Sequence, residues 1–186
     1  MIPGAMAGRA YPASMTYLRI PGDAAGATNY ERVFTLAPDV YQHWGALAKS
    51  VKAGMDLRRY ELVTLVAARR IGASYCSLAH AGVLRERFYD DTTLRAITTD
   101  WHDAGLDPVD VAVMDFADLV ATDPGRVTAA DADALRAHGL SEQDIMHVIL
   151  AVQIRRFFGG VLQATGAVPD QNLFDALSPE LGALLA

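Results

Sequence analysis

The stretch ELVTLVAARRIGASYCSLAH, residues 61–80, leaves this chain few folds to choose from. From Glu61 to Ala68 almost every residue is apolar, with none of the two-residue alternation of a half-buried strand. A helix buried nearly all round fits that pattern. Gly72 then supplies a stop, Ala73 and Ser74 make a tight link, and Ser74 is a good N-cap for a second helix from Tyr75 to about Phe88. The chain is committed to a helical hairpin, and the rest reads as helices around it.

That hairpin holds the only cysteine, Cys76, in the second helix's first turn. Free backbone N–H groups and the positive end of the helix dipole favour a thiolate there. His80 lies four residues on and shares a face with Cys76, leaning back toward it. Glu61 is a carboxylate on an apolar helix, so burial is expected to raise its pKa and suit it to proton transfer, with His80 as its nearest partner. In an ideal hairpin the axial offset is roughly 7 to 8 Å between Glu61 and His80 and roughly 13 Å to Cys76. Glu61 therefore reaches the sulfur only through His80 or a water. The same residues also fit a tethered buried acid, a small core hydrophobe and a satisfied core histidine.

The spacing of Glu, fourteen residues, Cys, three residues, His resembles the alkylhydroperoxidase D-like, or carboxymuconolactone decarboxylase, superfamily of all-helical oligomers. Its peroxidases carry Glu, then Cys-x-x-Cys, then His four residues after the second Cys, within the phrase "YC..AH". Here Glu61, Cys76 and His80 fit, as does Tyr75-Cys76-Ser77-Leu78-Ala79-His80, but Ala73 stands where the first cysteine belongs. The resemblance runs from about Phe34 to Asp170 and is strongest to the peroxidase-related branch, including "AADADALRAHGLSEQDI".

The resemblance implies an all-α, single-domain helical bundle with Cys76, His80 and Glu61 as catalytic residues and no cofactor or metal. It also implies an antioxidant oxidoreductase that reduces hydrogen peroxide or an organic hydroperoxide. With no second cysteine, an external thiol must regenerate Cys76. Two other readings stay open: a decarboxylase-like enzyme in which His80 and Glu61 do acid–base work on a small organic substrate, and a non-catalytic oligomeric scaffold. A homo-oligomer of two, three or six chains is expected.

Composition adds exclusions. The 186 residues are 52% hydrophobic and 20% charged, enough for one domain with an ample core. The mean hydropathy of +0.15, without an evident membrane segment, suggests apolar surface to cover by self-association. A net charge of −6 with no basic face argues against nucleic acid and anionic membranes as partners. A lone cysteine forms no internal disulfide and suits the cytoplasm. Residues 1–30, rich in Gly, Pro and Ala, lack a signal-peptide apolar run and read as an N-terminal arm or flexible tail before a helical domain at 31–186.

Further along, Pro38 and Asp39 open a helix with Tyr41, Trp44, Leu47, Ala48 and Val51 on its inner face, and Gly54 closes it. Asp56, Thr128 and Ser141 are N-caps. The last long helix has an apolar body from Ile145 to Phe158, in which Arg155 and Arg156 are odd. Gly159-Gly160 is expected to weaken it just beyond, where relatives often carry Asn-Arg. His43, His102 and His147 read as ordinary surface, loop or packed histidines.

Overall fold

The computed structural model describes residues 15–20 and 28–186, and the regular structure in them is entirely helical. The helices are α1 (Asn29–Phe34), α2 (Pro38–Ala53), α3 (Leu57–Arg70), α4 (Ser74–Arg87), α5 (Asp91–Thr99), α6 (Pro108–Thr122), α7 (Ala129–Ala137), α8 (Glu142–Thr165), α9 (Gln171–Asp175) and α10 (Pro179–Leu185). Of the N-terminal arm, Met15–Ile20 is described and lies along the end of α8. There the Tyr17 N–H donates to the Thr165 carbonyl at 2.8 Å and the Val168 N–H to the Met15 carbonyl at 3.0 Å. The rest of residues 1–27 lies outside the described residues.

At the centre is α3, buried on every side from Tyr60 to Ala68 because its neighbours α4, α6 and α8 surround it. Asp56 caps it, accepting the Arg59 N–H at 3.0 Å. Gly72 takes the chain out with φ of 70°, a left-handed conformation that a β-carbon disfavours. The next helix starts one residue earlier than the sequence suggests. Ala73, not Ser74, is the N-cap of α4, and its carbonyl accepts the Ser77 N–H at 2.9 Å. The Ser74 hydroxyl instead donates to the Ala186 carbonyl, so its side chain is turned to a distant partner.

Two further expectations are corrected by packing. Leu47 is 49% exposed rather than inward, because α1 and α8 cover α2 only along a narrow line. The Gly159-Gly160 pair does not interrupt α8, which runs on to Thr165 and ends at Gly166 in the left-handed region. By length and mean hydropathy (1.5), α8 also matches a membrane span, contrary to the impression that no segment does. In this fold it is a core helix packed by α2, α3, α4, α6 and α7.

The core divides in two. A large aliphatic cluster joins α3, α6 and α8, and a smaller aromatic one gathers Phe34, Tyr75 and Phe158 around Cys76.

Candidate functional site

Glu61 and His80 meet directly across the α3–α4 hairpin. His80 Nδ1 lies 2.6 Å from Glu61 Oε2, so side-chain reach closes the axial offset of an ideal hairpin. Lys52, in the last turn of α2, donates from Nζ to Glu61 Oε1 at 2.8 Å. Both carboxylate oxygens are therefore engaged on a side chain only 1% exposed.

The expected rise in the Glu61 pKa does not occur. Burial pushes it up, but the hydrogen bond from His80 and the hydrogen bond and charge of Lys52 together outweigh burial and hold it below the usual value. Glu61 is an ionised acceptor and not a stored proton. An ionised carboxylate can only accept, so His80 Nδ1 carries the hydrogen and Nε2 keeps its lone pair. Burial, followed by the charge of Arg155, pulls the His80 pKa down to about 4, and the attraction of Glu61 only partly offsets this. The ring is neutral at ordinary pH.

Cys76 is the third residue of α4 and 1% exposed. Arg155 of α8, itself 5% exposed, points Nη1 at its sulfur from 3.5 Å. Arg155, out of place by sequence, is the residue that meets the sulfur; its signal is a cation three residues before Phe158 in an apolar helix. Lys52 left no signal, since a lysine in a last helical turn is ordinary. Tyr75, beside Cys76 in sequence, donates its hydroxyl to Asp170 after α8. Phe158 stacks on Trp44 with centroids 4.1 Å apart and on Phe34 at 5.3 Å.

Other candidates lie elsewhere. His43 bonds the Asp39 carbonyl, His102 sits between Asp100 and Asp115, and the His147 ring packs over Gly54. A cavity of about 430 Å³, lined in part by Leu65, Arg69, Arg70, Thr98, Trp101 and Asp118, touches none of Glu61, Cys76, His80 and Arg155. Among the described residues no cluster of three or more His, Cys, Asp or Glu could hold a metal ion.

No protein-family profile and no curated protein matches the chain in sequence. Solved structures do match it in shape. The alkylhydroperoxidase AhpD core of an uncharacterized peroxidase-related protein from Ralstonia eutropha JMP134 superposes with a TM-score of 0.78 at 19% identity, over 88% of this chain and 96% of that one. An uncharacterized peroxidase-related protein from Silicibacter sp. TM1040 gives 0.79 at 19% identity, over 89% and 97%. This chain has the alkylhydroperoxidase AhpD fold. A cysteine-to-alanine variant of the debrominase Bmp8, in complex with 2,3,4-tribromopyrrole, shares it with a TM-score of 0.70 at 16% identity, over 82% of this chain and 81% of that one.

Within this AhpD fold only the first glycine of the α8 pair has a local purpose. A β-carbon on Gly159 would lie 2.8 Å from Ile71 Cδ1, 2.9 Å from Ala73 Cβ and 3.7 Å from Cys76 Sγ, so glycine lets α8 approach the corner that carries the sulfur. Nothing lies within 4 Å of the same position on Gly160. Gly159→Ala is therefore expected to destabilise the protein by about 1 to 3 kcal/mol, the cost of overpacking against an unyielding Ala73 methyl, despite the better helix propensity of alanine. Gly160→Ala is expected to stabilise it by about 0.5 to 1 kcal/mol. Urea denaturation of both variants checks this, and equal shifts in one direction would show that α8 does not sit this close to Ala73.

Proposed function

We propose that this protein is a thiol-dependent peroxidase that works with a single cysteine. The observation that carries the reading is the Arg155 guanidinium against the buried Cys76 sulfur, one helical turn before a His80 clamped by Glu61. A cation at the sulfur offsets the negative charge of the attacking thiolate and of the sulfenate that follows.

The chemistry balances without a second cysteine. The Cys76 thiolate attacks the terminal oxygen of a hydroperoxide; an S–O bond forms, the O–O bond breaks, and an alcohol leaves after taking a proton. Cys76 ends as a sulfenic acid, two electrons oxidised. One external thiol condenses with it to a mixed disulfide and water, and a second displaces Cys76 as the thiolate while forming the external disulfide. His80 Nε2 takes and returns the proton, and Glu61 holds the ring in the tautomer that leaves Nε2 free.

The test is dimedone trapping of the sulfenic acid under dilute hydrogen peroxide or an organic hydroperoxide, followed by mass spectrometry of Cys76. Labelling faster than that of free cysteine at neutral pH is expected. A rate no greater than free cysteine would remove the reading.

A further inference from the structure

We infer that Arg155 gives this site a preference for an anion: it reacts with hydrogen peroxide and neutral alkyl hydroperoxides, but faster with an electrophile that carries a carboxylate, so the preferred substrate class is an acid-bearing organic hydroperoxide. The inference builds on Cys76 as the reacting atom.

The first argument is the charge of a buried cation. Arg155 is 5% exposed, and among the described residues no carboxylate pairs with it. Glu61, the carboxylate of the site, has one oxygen on His80 and the other on Lys52. The Cys76 thiolate gives this guanidinium one anionic neighbour but leaves its buried Nε–H without an acceptor, and that cost is relieved when a carboxylate arrives. The Cys76 sulfur occupies only Nη1.

The second argument is the direction of the unused donors. Arg155 Nε–H is buried and has no acceptor. Nε–H and Nη2–H share the other edge of the guanidinium, the edge that binds a carboxylate through two parallel hydrogen bonds. Trp44 Nε1–H is likewise buried without an acceptor. Its ring stacks on Phe158 at 4.1 Å, and Arg155 lies 5.6 Å from the centre of that same ring. Both unspent polar groups around Phe158 are donors, so the missing partner is an acceptor.

Two alkylating reagents of nearly equal size isolate the charge preference. Iodoacetate and iodoacetamide both lose iodide as the Cys76 thiolate forms an S–C bond, and they differ in a carboxylate against a neutral amide. Both consume the same thiolate, so the ratio of their second-order rate constants does not depend on how much of it is present. In the intact protein at pH 7 the iodoacetate to iodoacetamide ratio is expected to exceed that of glutathione by about tenfold or more, the advantage of a charge-assisted pair. Arg155→Gln should bring it back to the glutathione value, and Arg155→Lys, which keeps charge but not the fork, should fall between. A wild-type ratio at or below that of glutathione overturns the inference, as does a ratio that Arg155→Gln leaves unchanged or a native Cys76 that neither reagent reaches. The wild-type comparison decides even if a variant fails to fold. A raised ratio without dimedone labelling would keep the anion selectivity and reject the peroxidase, and the reverse result would do the opposite.

Discussion

Cys76→Ser is expected to bring thiol-dependent hydroperoxide consumption down to the rate of buffer and reductant alone. A serine hydroxyl keeps the size of the group but has no accessible sulfenic state, so the two-electron step has nowhere to occur. His80→Asn removes the Nε2 proton acceptor and is expected to lower turnover by about 10²- to 10⁴-fold, the range of positioned acid–base groups. Glu61→Gln keeps Lys52 and His80 within reach, but a neutral amide no longer enforces the Nδ1–H tautomer, so its loss should be smaller than that of His80→Asn. Initial rates of peroxide loss with dithiothreitol as reductant measure all three. Should Cys76→Ser keep more than a tenth of the wild-type rate, the reaction does not pass through the sulfur.

Acid should destabilise this protein through His80 before it protonates most of the carboxylates. An unfolded imidazole takes up its proton near pH 6.5, whereas burial and Arg155 delay that event in the fold to about 4. Between those values the unfolded chain binds more protons, so stability falls as pH drops, by about 1.4 kcal/mol per unit and about 3 kcal/mol across the window. Glu61 acts in the same direction further down: its pKa is depressed in the fold, so its contribution is present above the ordinary carboxylate value and is lost as pH falls below it. Urea denaturation between pH 7 and pH 4 measures the slope. His80→Asn carries no titrating ring and should flatten the upper part of that window, while the surface carboxylates titrate alike in both proteins. Equal slopes in wild type and variant would mean that the ring is not held neutral.

Both predictions depend on contacts between helices distant in sequence. Lys52 reaches Glu61 from α2, and Arg155 reaches Cys76 from α8. Neither contact could be foreseen from spacing, and Lys52 was not even a candidate. The Glu61 expectation failed for the same reason. Burial was legible from the apolar run around it, but its ionisation depends on the sum of burial and two facing donors, and one donor was invisible.

What the amino-acid order determined by itself was local. Apolar periodicity, together with Asp56, Gly72, Thr128 and Ser141, set the starts of α3, α7 and α8 and the end of α3 to within a residue or so, because caps and stops act within one helical turn. The same locality places Cys76 and His80 four apart on α4. Only the tertiary structure decided what those residues face. It clamped His80 with Glu61, left Glu61 ionised, brought a buried guanidinium to the sulfur, and used Gly159 to let α8 come close enough. The physical reason is range: a helix end is settled by its own neighbours, whereas the charge of a buried group answers to every element packed around it.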